Sequence, residues 1–483
     1  MNIFRFLIFS GFYGMAELAA RALQAGAMFW LATVCSKEEY GGLGILLALQ
    51  QLVSILVLGG LVESSTSLIN EHRNQDRLAE LFVASRRLLL LSAGVVALVY
   101  AVSLPWVSDW LGGISPGMHL LVVSTGILLA YFTLASNLYR LDEHHKSSLV
   151  LKVLPVASCY VMALAFAWLL PDRLFGFFLG SVIGLLFAQL VWSLSPKPEG
   201  AAPPPKRDLL RTVLVRSGPI IPIVIITWAS GYGINFGIDR IFSRAAVAEF
   251  TFVLALNSAL LLTLNSLNNV WSPRFFKLSL ERPAPELEEL NSTVNRAMML
   301  LASTAAGVIL LYFGDVAQWI GGNLPAYVHL APFLALTFCS FVFQTIYFRS
   351  INYYFLHQEQ YVYMKIFLFS TALGVAAWYA AMIGVGLKGI YLGYFLMMAV
   401  RSGAVFWYAR RRWGVRLNFL EIPVGVVIVG AGYFLTLGVA DVLLRTVCFA
   451  LLVSGAMGYL YSTNPRLFRN LLATVRISTA GES

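Results

Sequence analysis

Apolar runs long enough to cross a membrane recur from one end of this chain to the other. About 20 consecutive apolar residues span the hydrocarbon core as a helix, and roughly fourteen segments pass that test. They lie near 4–34, 41–69, 88–111, 119–139, 148–170, 174–195, 214–242, 246–273, 296–320, 327–348, 362–383, 388–409, 420–440 and 442–462. With 59% hydrophobic and 12% charged residues, the chain is far from the roughly 45–50% and 25% of soluble domains. That balance excludes a soluble globule, a disordered chain, collagen and a coiled coil. The two-residue alternation of a membrane barrel is also missing. The expected fold class is an all-α polytopic membrane protein of about 14 transmembrane helices. Composition alone does not say what crosses the membrane.

The formal charge of +10 would point to nucleic acid in a soluble protein. Here it sorts to one side of the membrane, as Lys and Arg do in cytoplasmic loops. With the N-terminus inside, the inner loops carry Arg73, Arg77, Arg86, Arg87, Lys146, Lys197, Lys206, Arg207, Arg211, Lys277, Arg282 and Arg410 to Arg412. The C-terminal tail adds Arg466, Arg469 and Arg476, whereas the outer loops hold little beyond Lys37, Arg173, Arg244, Lys388 and Arg445. Both termini are therefore expected in the cytoplasm, and no nucleic-acid partner is implied. The first apolar run is too long for a signal peptide and has no small-residue cleavage site, so it reads as a membrane helix. Cys35, Cys159, Cys339 and Cys448 are isolated, with no CxxC or Cys/His cluster, and read as structural thiols rather than metal ligands.

The stretch from Ser195 to Arg207 holds five prolines and several charges, and should be an extended cytoplasmic linker. It divides the first twelve helices into six and six. The expected organisation is an N-terminal lobe at 1–195, the linker at 196–213, a C-terminal lobe at 214–412, an additional helix pair at 413–462 and a tail at 463–483. A faint internal echo supports two repeats: Glu39-Tyr40-Gly41 and Glu249-Phe250-Thr251 each follow a span and open the next apolar run. Six helices per half bring both halves in from the same side, as in parallel repeats.

Ionisable and amide groups inside the bilayer are expensive and face a partner or a cavity. In the first span, Glu17 and Arg21 are one turn apart, with Gln24 extending their face. They form either a static pair that fixes packing or a cavity lining in which Arg21 is freed to bind an anion. The seventh span ends in Asn235, Asp239 and Arg240, below Gly231 and Gly233, which permit a bend. Arg240 either snorkels to the headgroups or takes part in gating. In the eighth span Asn257, Asn265, Asn268 and Ser272 form one stripe, which suits interhelical hydrogen bonds or sugar hydroxyls, since an amide both donates and accepts. Thr133, Asn137 and Arg140 line one face of the fourth span; Gln344, Tyr347 and Arg349 lie in the tenth, and Gln50 and Gln51 in the second. These positions come from both halves, and the basic ones outnumber the acidic ones, as an anion-binding cavity requires.

At this point the residues resemble a known family. Lys37-Glu38-Glu39-Tyr40-Gly41 leads a long helix to Gly59-Gly60-Leu61. Gly218-Pro219 opens the seventh span, Asp239-Arg240 closes it with Ala248-Glu249-Phe250 after, and Trp271-Ser272-Pro273 ends the eighth. In order and spacing, over roughly residues 1–410, this resembles the polysaccharide transporters, the O-antigen-type lipid-linked oligosaccharide flippases of the multidrug/oligosaccharidyl-lipid/polysaccharide exporter superfamily. Two departures, Cys35-Ser36-Lys37 before the acidic pair and Thr251 for a glycine, bear on subfamily rather than fold. The resemblance implies two six-helix lobes in a V around a central cavity, plus two extra C-terminal helices. It implies a substrate of undecaprenyl-diphosphate-linked oligosaccharide, flipped by alternating access across the bacterial cytoplasmic membrane for O-antigen, capsule or exopolysaccharide synthesis. It further implies no cofactor, a proton or sodium gradient as the drive, a monomer among membrane lipids, and polymerase and glycosyltransferases as pathway partners. The sequence has no Walker A loop, so it encodes no nucleotide motor of that type.

On this reading Arg21 is the central ligand of the diphosphate, and Arg140, Arg274 and Arg349 recruit it from the inner side through charge-assisted hydrogen bonds. Asn257, Asn265, Asn268 and Gln344 meet the sugars. Glu17 and Asp239 carry the coupling ion, with Arg240 beside them. Rival readings are a multidrug or metabolite exporter with a smaller, more acidic cavity, and a peptidoglycan-precursor flippase, whose arginines should be denser in the first, second and eighth spans. A membrane polymerase or ligase would need catalytic acids in a sizeable outer loop, and every outer loop here is short.

Overall fold

Ser36 starts the second membrane helix with a capping box: its hydroxyl accepts from the Glu39 amide while the Glu39 carboxylate accepts from the Ser36 amide. The computed structural model describes residues 22–74, 78–112, 114–141, 144–194, 207–417 and 421–463. Among them every regular element is helical. In chain order they are α1 (Ala22–Val34), α2 (Lys37–Leu58), α3 (Leu61–Asn74), α4 (Leu78–Trp110), α5 (Pro116–Leu141), α6 (His145–Leu169), α7 (Arg173–Leu194), α8 (Arg207–Ser217), α9 (Ile221–Ala229), α10 (Ile234–Ile241), α11 (Arg244–Glu281), α12 (Ala284–Ile320), α13 (Ala331–Leu356), α14 (Gln360–Val385), α15 (Lys388–Trp413), α16 (Glu421–Gly438) and α17 (Val442–Thr463). Eleven stretches are long and apolar enough to cross a membrane, beside two shorter apolar helices at Ala22–Val34 and Val442–Gly458. With α11, a helix stands at each of the fourteen expected positions, and the protein is a multi-pass membrane protein.

Several spans differ in detail from the expectation, the second and seventh for a local reason, while the third and ninth begin earlier, at Leu78 and Ala284. The second breaks into α2 and α3 at Gly59 and Gly60, which adopt φ of 49° and 78°, a left-handed stop that glycine accepts without strain. The seventh is cut into α8, a 3-10 turn at Gly218–Ile220, α9 and α10. Pro219 and Pro222 lack the amide that a continuous helix needs, and Gly231 and Gly233 lie in the turn between α9 and α10 as the expected bend. The eighth runs on past its expected end at 273 to Glu281.

By compactness the chain forms two units, Met1–Ala255 and Leu256–Ser483, with the boundary inside α11. The seventh span thus packs with the N-terminal unit rather than beginning the second. In that unit Gly176, Gly180 and Gly184 recur every fourth residue on α7. A methyl carbon at each would fall 2.2–2.4 Å from a carbonyl oxygen of α6, so only glycine lets the two backbones meet, the small-residue packing of membrane helices. In the C-terminal unit Gly389 and Gly393 do the same for α15 on α14, and Gly307 against Gly432 for α12 on α16. None of the four cysteines forms a disulfide. At the α1–α2 junction burial pushes the Cys35 thiol up to about 11, with Glu39 adding to the shift, so it is an unreactive structural thiol.

Candidate functional site

A cavity of about 320 Å³ lies inside the N-terminal unit, among α1, α2, α5, α6 and α7. Its polar lining is Gln24 from α1, Gln50, Gln51 and Ser54 from α2, Thr125, Thr133, Ser136 and Asn137 from α5, Lys152 and Tyr160 from α6, and Ser181 from α7. Phe132 and Phe177 supply aromatic surface. Five of these residues, Gln24, Gln50, Gln51, Thr133 and Asn137, are legible in the sequence as polar breaks in apolar runs, and the fold brings them to one space. Asn137 spends one amide hydrogen on the Thr133 carbonyl at 2.7 Å. Among the described residues that line it there is no carboxylate, and Lys152 is a cation. Sequence reasoning passes over Lys152, although a lysine within the fifth apolar run is signal enough. The other hydroxyls are not legible, because a single Ser or Thr bonds back to its own helix at little cost, as Thr125 and Ser181 do.

Glu17 and Arg21 lie outside the described residues. Arg140, near the end of α5, and Arg274 on α11 are exposed, with no ion pair among the described residues. Arg349 does not. It is 2% exposed, with Nη2 at 3.3 Å from Glu288 and Nη1 at 3.3 Å from Glu421. Glu421 also accepts from Arg296 at 2.5 Å, and Glu288 from the Tyr353 hydroxyl. Two arginines and two glutamates thus form a neutral, buried cluster joining α12, α13 and α16. With both terminal nitrogens held by carboxylates, Arg349 is a structural cation and not a recruiter of phosphate. The sequence shows Arg349 but hides its partners, since Glu288, Arg296 and Glu421 sit in different helices.

The amide stripe of α11 is only partly committed to packing. Asn257 is buried and donates to the Tyr394 hydroxyl at 2.8 Å. Its carbonyl oxygen and that of Asn268 are buried without a hydrogen bond, and Asn265 is half-buried. Gln344 is buried on α13, and its carbonyl accepts from Arg401 of α15 at 3.0 Å. Arg401 is a second residue that sequence reasoning misses. It stands near the midpoint of a membrane span, where an arginine costs about 2.5–3.5 kcal/mol even by insertion scales, so it is visible in the sequence as a charge in an apolar run.

In the N-terminal unit α2 crosses α9, α10 and the start of α11 at very close range. A methyl carbon at Gly41 would fall 2.0 Å from the Arg244 carbonyl oxygen, and one at Gly44 would fall 2.1 Å from the Thr251 hydroxyl. Trp228 donates to the Ala48 carbonyl at 2.8 Å and Asn235 to that of Gly44 at 3.0 Å. Lys37 pairs with Glu249 at 2.8 Å, so the two echoed sequence motifs meet each other. Asp239 is a quarter exposed and lies 3.5 Å from Arg244, while Arg240 is exposed.

Fourteen helix positions, with a polar cavity inside the N-terminal unit, define a polytopic helical membrane fold. Solved structures share it. An inward-facing multidrug resistance MATE family transporter of the MOP superfamily matches with a TM-score of 0.68 at 14% identity, over 83% of this chain and 98% of that one. The lipid II flippase MurJ in an inward closed conformation matches with a TM-score of 0.66 at 9% identity, over 94% and 100%. An outward-facing MATE transporter matches at 0.59 and 15% identity, over 85% and 96%. At such identities the likeness is one of fold. Among curated proteins nothing matches. The profile of the polysaccharide biosynthesis protein family matches residues 10–279, more than half of the chain, and the protein belongs to that family.

Proposed function

We propose that the protein is a flippase that moves undecaprenyl-diphosphate-linked oligosaccharide from the inner to the outer leaflet of the bacterial cytoplasmic membrane. The observation that carries this reading is the chemistry of the N-terminal cavity. Amides and hydroxyls that both donate and accept, beside aromatic rings, suit sugar hydroxyls. Lys152 in the described part of the lining adds a positive charge, which favours an anionic substrate over a cationic drug. The family and the fold shared with a lipid II flippase support a lipid-linked substrate. On this reading Arg21 remains the central phosphate ligand, with Arg140 and Arg274 recruiting at the inner face. Asn257, Asn265, Asn268 and Gln344 contact sugar. The crossing of α2 with α9, α10 and α11 is the closed outer gate. A proton or sodium gradient drives the cycle, with Glu17 or Asp239 as the ion carrier, and no covalent chemistry is performed.

The test is translocation by the purified protein in proteoliposomes. Fluorescent undecaprenyl-diphosphate oligosaccharide, lipid II and a cationic dye are compared in the same vesicles. Gradient-dependent flipping of the oligosaccharide lipid is expected, at least tenfold above lipid II and the dye, with Lys152→Ala reducing it. Preference for lipid II would reassign the substrate, and transport of the dye alone would overturn the reading.

A further inference from the structure

The C-terminal unit contains one part-buried arginine in mid-span, Arg401, whose charge no carboxylate among the described residues balances. Arg296, Arg349 and Arg445 in this unit each pair with a carboxylate. Arg401 does not, among the described residues. Its Nη2 donates to the neutral amide of Gln344 at 3.0 Å and approaches the Met398 sulfur at 3.1 Å. Its guanidinium carbon stands 5.6 Å above the ring of Tyr347 and 5.6 Å above that of Phe367. The Nε hydrogen is buried without an acceptor, and Nη1 makes no hydrogen bond to the described protein. Aromatic faces attract the cation without taking its N–H donors, so three of its five hydrogens remain for another partner.

The backbone holds Arg401 in place. Gly389, Gly393, Met397, Arg401, Val405 and Ala409 repeat every fourth residue along one face of α15. The two glycines press that face onto α14, where a methyl carbon would meet the Ala381 oxygen at 2.0 Å and the Trp378 ring at 2.1 Å. Arg401 is therefore turned into the unit, towards α13 and α14, roughly 18–20 Å of helix from either end of its span. Each of its three counterparts in this unit, by contrast, has a carboxylate partner.

We infer that Arg401, with Gln344 beside it, is a binding site for an oxyanion carried by the lipid substrate. The inference rests on the flippase reading and extends it to a second polar site, in the C-terminal unit. Two groups have the required chemistry: the diphosphate of the lipid carrier and the carboxylate of an acidic sugar. Either supplies the paired acceptor oxygens that a planar guanidinium fits.

Binding to the detergent-solubilised full-length protein tests it. The probes are undecaprenyl diphosphate against undecaprenol, and octyl glucuronide against octyl glucoside. The wild type is expected to prefer the charged member of one pair by at least tenfold, and the pair identifies the source of the oxyanion. Arg401→Gln should abolish that preference, and Arg401→Lys should keep part of it. Gln344→Glu places a carboxylate beside the guanidinium; it should abolish the preference while raising the melting temperature, a combination that a purely structural arginine would not give. If the wild type prefers the charged probe and both Arg401→Gln and Gln344→Glu keep that preference, the site is refuted while the flippase reading stands. If the wild type shows no preference in either pair, the oxyanion assignment falls. The proteoliposome assay with a neutral-sugar lipid decides the flippase reading separately.

Discussion

Replacing Glu421 by Gln should expose how α16 is attached to the rest of its unit. Glu421 is the first residue of α16 and accepts from Arg296 and Arg349, whose side chains are 16% and 3% exposed. With Glu288, the four charges cancel. Glu421→Gln keeps the shape but leaves one net positive charge where water cannot reach Arg349. Removing one partner of a buried pair costs about 3–5 kcal/mol, or between two and four decades in the folding equilibrium. Removing Arg296 as well restores neutrality, because Arg349 and Glu288 remain. The double variant Arg296→Gln/Glu421→Gln should thus recover part of the loss, with a coupling of about 1–3 kcal/mol. Unfolding in mixed micelles, followed by far-UV circular dichroism against denaturant, measures all three variants. A Glu421→Gln protein within about 1 kcal/mol of wild type, or a double variant less stable than the single, would refute the argument from buried charge.

Two further outcomes follow from the geometry outside the cavity. Lys37 and Glu249 are joined at 2.8 Å, so a Lys37→Cys/Glu249→Cys protein should be bridged by a bifunctional thiol reagent with a reducible disulfide in its spacer, which replaces the length of the two lost side chains. If that crossing is the gate, transport should stop when cross-linked and return on reduction; undiminished transport in the fully cross-linked protein would exclude gating there. Glu359, between the spans of α13 and α14, accepts from Tyr408 at 2.8 Å and Arg412 at 3.1 Å. The Tyr408 hydrogen bond first, and then Arg412, hold its carboxyl below the ordinary 4.5. A lowered folded value contributes stability that is present above the unfolded value and is lost as pH falls through the folded one. The melting temperature of wild type should therefore drop more steeply than that of Glu359→Gln as pH falls below about 4.5, and parallel profiles would show that the contact contributes nothing.

Much of the candidate site is legible in the amino-acid sequence. Gln24, Gln50, Gln51, Thr133 and Asn137 stand out because a polar side chain in an apolar run has to be explained by its surroundings. Arg349 stands out for the same reason, yet sequence reasoning gives it the wrong role, because a charge in a sequence does not name its counter-charge. Glu288 and Glu421 are 61 and 72 residues away from it along the chain. The echoed motifs at Glu39 and Glu249 are readable as similar, but not as neighbours.

The sequence by itself determined the solvent this chain folds in and where its helices lie, since both follow from local properties: twenty apolar residues in a row, a capping box, a proline, a glycine pair. Tertiary structure alone decided which polar groups are matched and which are left over. Arg349 and Arg401 lie in similar apolar helices, yet one is paired with carboxylates and the other faces an amide and aromatic rings. That difference arises because electrostatic pairing acts between helices, over a few ångströms, while the sequence orders residues along them.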